Sequence, residues 1–292
     1  TRCLSDWSSD VCSSDLMIEA YYLSYCIQKR QAFKLIQSQH GTLVVLAALV
    51  ELEPDMGTMM IILGVPLLML IVAGLDMGKI KNLIFIVVAA ATALCIYQPY
   101  RLQRIKVMLD PWADAQGMGY QTVQSITAIG SGGFWGMGLG EGLAKYAYLP
   151  EAHTDFAFAV FCQENGFLLA AGLIILYGLL GFFGARIAKN AYDAYGQVLA
   201  GGLVILICLQ AVINMFMVSG FLPVIGVPLP FISYGGCSLL VSMAALGILV
   251  NINRYSLIKQ LKMEKLTEHN LANRQKPMRL MPGQRPRLTR IK

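Results

Sequence analysis

Charge is what this chain lacks. Of its 292 residues, 14% are Asp, Glu, Lys or Arg and 56% are hydrophobic. Soluble domains carry about a quarter charged residues, so this shortage excludes an ordinary soluble domain and points to a chain that crosses a membrane several times. Metal-ligand spacing is missing too. The seven cysteines make no pattern; no metal site and no disulfide is assigned, and Cys95, Cys162, Cys208 and Cys237 sit in apolar stretches where cysteine acts as a small hydrophobe. A secretory signal is absent from the start. Residues 1–16, TRCLSDWSSDVCSSDL, have neither a basic beginning nor an apolar core. Their Ser-Asp repeats resemble translated cloning or adapter sequence, so they are read as a non-native leader, outside the fold and packed against nothing.

What is present is a series of apolar runs. Spans of about 17–25 apolar residues cross a bilayer as helices. The candidates are 41–52 (short), 57–75, 83–98, 156–183, 199–218 and 231–252, with a half-apolar fragment after Met17. The expected fold is therefore all-α and polytopic, with six spans plus a partial one over 17–253. A long loop occupies 99–154. Basic residues sort to one side of this topology: Lys29, Arg30 and Lys34, then Lys79 and Lys81, then Arg186 and Lys189, then the tail. Lys and Arg in short loops mark the cytoplasm, so residues 53–55, 99–154 and 221–228 share the outer side. From Arg254 to Lys292 there are eleven Lys and Arg against two acids. That tail is expected to be a flexible cytoplasmic appendage facing anionic lipid. Nucleic acid is the weaker match, because no aromatic follows Tyr255.

Polar residues gather at three outer places. The first is ELEPDMGT, where Glu53 and Asp55 flank a Pro-Gly break and Asp55 suits a helix N-cap. The second is the loop opening PYRLQRIKVMLDPW. Arg101 and Arg104 share a face if the segment is helical, suited either to an interfacial helix on lipid phosphate or to bidentate recognition of a phosphorylated lipid head. The same loop holds seven glycines between Gly130 and Gly142. No strand precedes them, so they are no nucleotide fingerprint; a flexible backbone over a ligand is expected. The third is GVPLPFISYGGCSLL, a broken entry to the last span that carries Ser233, Tyr234, Gly235 and Gly236. Irregular backbone at membrane depth needs protein or a watery cavity to satisfy it. Between these lies YLPEAHTDFAF, which crowds Glu151, His153 and Asp155 at the start of a run whose one charged residue, up to Phe183, is Glu164. Asp155 there is either a helix cap or a site of chemistry.

Taken together, EPDMGT, PYRLQRI, LDPWAD with GYQTVQSITAIGSGGFWGMGLG, YLPEAHTDFAFAV and LPFISYGGCSLL resemble the SEDS (shape, elongation, division and sporulation) family of polytopic peptidoglycan glycosyltransferases. The strings follow the family order over roughly Met17 to Arg254, and YLPEAHTDF with DPWAD is closest to its FtsW/SpoVE branch. The chain departs from the family's usual residues at Gln163, Asn165 and Cys237. The resemblance implies ten spans, of which this chain would supply the last six and the end of a fourth, as in a truncated gene fragment.

It further implies that Asp155 is the essential carboxylate of an outer cavity. There a lipid-linked disaccharide pentapeptide (lipid II) would be joined to another with release of undecaprenyl pyrophosphate. Arg101 and Arg104 are the candidates for the pyrophosphate, with Lys145 and His153 behind them. Glu53, Asp55, Glu151 and Ser233 to Gly236 complete the expected substrate site. No cofactor is assigned, and a divalent cation is left open. The implied partners are a class B penicillin-binding protein, other membrane proteins of the division machinery, and membrane lipids. Two alternatives differ in class. A flippase or transporter would use Glu164 as an intramembrane acid on an ion path, and a non-catalytic scaffold would only dock a transpeptidase.

Overall fold

The structure is a computed structural model that describes residues 56–72, 99–146 and 149–275, with isolated positions between 78 and 85. Its helices in chain order are α1 (Met56–Val72), α2 (Pro99–Leu109), α3 (Tyr120–Ser131), α4 (Ala157–Lys189), α5 (Ala194–Val218) and α6 (Gly236–Gln275), with 3-10 turns at Pro111–Asp114 and Leu143–Lys145. No strand occurs among the described residues. Among the described residues, three helices, α4, α5 and α6, are long and apolar enough to cross a membrane. The leader, the spans proposed before Gly57 and most of the span at 83–98 lie outside the described residues.

Helix α5 is the hub. It is buried along most of its length, whereas α4 and α6 turn most of theirs outward. Its Leu199, Leu203 and Leu206 share a core with Ile61, Val65 and Met69 of α1 and with Phe156 before α4. Where α4 crosses α5, a Cβ added to Gly184 would come within 2.3 Å of Val204. A small residue at that point allows the backbones to approach, as is usual for helices packed in lipid. The outward faces of α4 and α6, with Ile175, Phe182 and Leu240 among their exposed residues, are apolar as a lipid-facing surface must be.

The chain beyond Arg254 differs from expectation. Helix α6 runs unbroken to Gln275, so the boundary drawn at 253 falls inside a helix. Residues 254–275 contain neither Gly nor Pro and are rich in Leu, Lys, Glu and Gln, which favour helix. The extension is also docked. The Ser256 hydroxyl accepts from the Tyr192 backbone N–H at 3.0 Å, the Gln260 amide donates to the Asn190 carbonyl, and Lys259 lies over the Tyr192 ring. The first half of the basic segment is thus a continuous helix tied to the α4–α5 turn.

The long loop between α2 and α4 is likewise built rather than loose. Helix α4 is broken at Gly166 (φ 72°, ψ −175°), and the glycine-rich segment enters the break. In an unbroken helix the N–H groups of residues 167 and 168 would bond the carbonyls of 163 and 164. Here Phe167 donates to Gly133 O and Leu168 to Phe134 O, while Met137 and Gly138 donate to the carbonyls of Gln163 and Glu164. Two helix bonds are exchanged for four bonds to the loop, so the groups freed by those two bonds are paired again. The approach requires glycine: a Cβ on Gly136 would sit 2.2 Å from Glu164 O, and one on Gly166 would sit 2.3 Å from Gly136 N. These glycines therefore pack against protein backbone, and the expectation of a flexible cover over a ligand is corrected for this stretch.

Gly166 occupies a backbone region that only glycine populates freely, where other residues pay about 1–3 kcal/mol before any clash is counted. Gly166→Ala and Gly136→Ala are each expected to destabilise the protein by about 3 kcal/mol or more. Gly172→Ala is the control, because a Cβ there meets nothing within 4 Å. It should be neutral or stabilising by about 1 kcal/mol. Thermal unfolding of the detergent-solubilised variants, followed by tryptophan fluorescence, makes the comparison.

Candidate functional site

The turn 149–156 is held by its own backbone: Thr154 N–H and Phe156 N–H both donate to Glu151 O. Glu151 adopts a positive φ of 53°, and its carboxylate accepts from the Thr154 hydroxyl at 3.0 Å. Glu151 therefore shapes the turn from an exposed position. Phe156 follows with its ring fully buried in the core, which leaves Asp155, one residue earlier, half-buried at the surface of the bundle.

The capping role considered for Asp155 is not what the geometry shows. Phe156, not Asp155, is the N-cap residue of α4, and its own side chain makes no cap bond. Instead the Asp155 carbonyl accepts from the Asn214 amide of α5 at 2.7 Å. Its carboxylate lies against the loop between α5 and α6: a Cβ placed on Gly226 would come within 3.4 Å of Asp155 Oδ2.

That loop, residues 221–235, is irregular throughout and is pinned from several directions. Arg104 of α2 donates to Val224 O. Ile225 N–H meets the Met217 sulfur at 3.3 Å. Asn214 donates a second bond, 2.6 Å, to Val227 O, and the Tyr177 hydroxyl of α4 donates to Pro230 O. Ser233 is buried; its hydroxyl accepts from Leu229 N–H at 2.7 Å and donates to Thr154 O at 2.6 Å. Tyr234 N–H donates to His153 O at 2.8 Å. Residues 153–155 and 226–234 are thereby stitched together, satisfying the non-helical backbone as membrane depth demands. Phe231 is held at φ 68°, a strained conformation for a bulky residue that neighbouring structure must impose.

Around this seam lies a cavity of about 680 Å³, lined by His153, Glu164, Tyr234, Gly235 and Gly236 among others. Asp155 is not among its lining residues but falls in sequence between two that are, His153 and Ala157. Arg104 belongs to a second cavity of about 390 Å³, bounded by Pro150, Pro223 and Val224. The structure thus brings His153, Ser233, Tyr234, Gly235 and Gly236 together beside Asp155 and sets Arg104 apart as an anchor of the same loop. Helix α2 bears out the helical spacing of Arg101 and Arg104. The Arg101 side chain and both Glu53 and Asp55 lie outside the described residues. Among the described residues, no group of three or more His, Cys, Asp or Glu side chains could hold a metal ion.

Lys145 meets an acid of the larger cavity's wall. Its Nζ is 2.8 Å from Glu164 Oε1, so the intramembrane acid that motivated the transporter reading is held in an ion pair on the cavity wall. Beside it, Gln163 is buried; its Oε1 accepts from Ala144 N–H at 3.0 Å and its Nε2 donates to Ser131 Oγ at 2.9 Å. Sequence reasoning missed Asn214 and Gln163 as site-building residues. The signal was available, since both are carboxamides inside apolar runs.

The Glu164 carboxylate hydrogen-bonded to Lys145 holds its ammonium above the ordinary lysine value of 10.5. A raised value means that the pair's contribution is complete below the ordinary lysine range and is lost only as pH rises through the higher folded one. Lys145→Met is therefore expected to lower the melting temperature by the same amount from about pH 6 to about pH 9. Glu164→Gln should have a similar effect, and the double variant should melt no lower than the worse single variant. Thermal unfolding across that pH range measures all three.

The family model described as "Cell cycle protein", covering FtsW, RodA and SpoVE, matches residues 16–257. The chain is 42% identical over 204 residues to "Stage V sporulation protein E" of Bacillus subtilis (strain 168), covering 70% of this chain and 56% of that protein. It is 40% identical over 238 residues to the "Probable peptidoglycan glycosyltransferase FtsW" of Geobacter sp. (strain M18), covering 80% of this chain and 65% of that one. The chain thus spans between half and two thirds of the length of these relatives. Among solved structures, a chain of "Structural coordination of polymerization and crosslinking by a peptidoglycan synthase complex" shares the fold, with a TM-score of 0.65 at 24% identity over 83% of this chain and 68% of that one. The chain is a multi-pass, all-helical membrane protein and belongs to the FtsW/RodA/SpoVE family.

Proposed function

We propose that the protein containing this chain is a peptidoglycan glycosyltransferase that polymerises lipid II into glycan strands for septal wall synthesis. The observation that carries the reading is the seam itself: Asp155 is fixed by its main chain between residues that line a large cavity, with its carboxylate against the Gly226 turn. Family membership and relatives named as glycosyltransferases support it.

In the proposed reaction, the acceptor sugar hydroxyl attacks the anomeric carbon of the donor with inversion. A bond forms from that oxygen to the carbon, and the bond to undecaprenyl pyrophosphate breaks. Asp155 takes the hydroxyl proton, since a hydroxyl is a poor nucleophile at neutral pH without a positioned base. Pyrophosphate leaves unprotonated where cations offset its charge. Helix α2 offers Arg101 and Arg104 for this role. His153 and Tyr234 would contact sugar or phosphate from the cavity wall. The site would face outward from the bacterial cytoplasmic membrane, with α6 emerging on the cytoplasmic side. A class B penicillin-binding protein is the proposed partner, consistent with the shared fold of a chain from a complex that couples polymerization to crosslinking.

Asp155→Asn tests the reading in the complete protein. Asn has the same size but accepts no proton. Loss of a general base costs roughly 10²- to 10⁴-fold in rate, so glycan chain formation from purified lipid II should fall by that factor while lipid II affinity stays nearly unchanged. Wild-type polymerisation by this variant would overturn the mechanism.

A further inference from the structure

Asn214 is fully buried near the outer end of α5, one turn before Val218. A carboxamide nitrogen carries two N–H donors, and both are used: one on the Asp155 carbonyl at 2.7 Å, the other on the Val227 carbonyl at 2.6 Å. Its Oδ1 is buried without a hydrogen-bond partner among the described residues. An orphaned buried acceptor is unfavourable, and an apolar side chain of equal size would avoid it. The orphaned acceptor is a cost that the amide's two donors must offset by satisfying buried carbonyls. The two donated bonds run to the two strips of backbone that form the seam.

We infer that Asn214 is a positioning residue for Asp155: it sets the Asp155 main chain and the 226–236 loop at a fixed separation, and so aims the carboxylate. The neighbour of Val227 is Gly226, at φ +73°, whose missing Cβ would come within 3.4 Å of Asp155 Oδ2. The carboxylate therefore rests against the very backbone that Asn214 holds. Other side chains fail for stated reasons. Leu matches the size but donates nothing; Asp lacks the N–H donors; Gln is one methylene too long to reach both carbonyls from the same helix position. The inference rests on the proposed role of Asp155 as the base.

The test uses the complete protein in nanodiscs, with lipid II polymerisation, lipid II affinity and thermal unfolding measured for each variant. Asn214→Leu should lower kcat about 10- to 100-fold, the scale of a misaligned catalytic group, with lipid II affinity within about twofold of wild type. Asn214→Ser retains one donor and should fall between. The double variant Asp155→Asn/Asn214→Leu should be no slower than Asp155→Asn alone, because Asn214 acts through Asp155. Wild-type kcat for Asn214→Leu, alongside an inactive Asp155→Asn, would overturn this inference and leave the proposed mechanism standing. Wild-type activity of Asp155→Asn would overturn both. If rate, affinity and unfolding temperature fall together in both Asn214 variants, or if neither variant folds, Asn214 is only structural and the inference fails.

Discussion

The exchange of backbone hydrogen bonds at Gly166 is the constraint on which the candidate site depends. A helix long enough to cross a membrane gives up two of its own bonds and takes four from residues 133–138. Such an exchange is tolerable in a water-poor setting only if every freed group is met, which demands close backbone contact and hence glycine on both sides. Once the segment is seated, its neighbours follow in register. Gln163 reaches Ala144 and Ser131, and Glu164 reaches Lys145. One local break thereby fixes the wall of the larger cavity.

The α5–α6 loop solves the same physical problem differently. It has no helix to enter, so side chains meet its backbone: Arg104, Tyr177 and Asn214 come from its surroundings, and Ser233 from the loop itself. This arrangement explains why polar residues are placed so sparingly in an apolar chain. Each one meets backbone that would otherwise be stranded, and an irregular loop so held can present Tyr234 and two glycines to a cavity without collapsing into it.

Much of the site was legible as a list of residues. The break at Pro228, Pro230 and the Gly235-Gly236 pair signalled irregular backbone, and the cluster from Glu151 to Asp155 marked the start of α4. Their individual roles were less legible. Glu151 is spent on its own turn, and Lys145 turns to Glu164. Asp155 is held by its carbonyl rather than by capping, because the helix begins one residue later and the buried Phe156 ring dictates the direction of the chain there. Arg104, read as a phosphate ligand, also donates to the Val224 carbonyl. A sequence pattern shows that a cation is present but not which of several nearby acceptors it will meet.

Apolar run length and the scarcity of charge determined, without coordinates, that this is a helical membrane protein; the composition after Arg254 carried a helical signal of the same local kind, but a loose tail was expected there. Those properties are local: they depend on hydrophobic length and on propensity summed along one segment. Tertiary structure alone decided which polar groups meet. Asn214 lies 59 residues from Asp155 and Ser233 lies 79 from Thr154, and no periodicity within either segment encodes those distances. They arise because buried backbone must find partners from whatever element packs against it, and that is settled only when the helices are assembled.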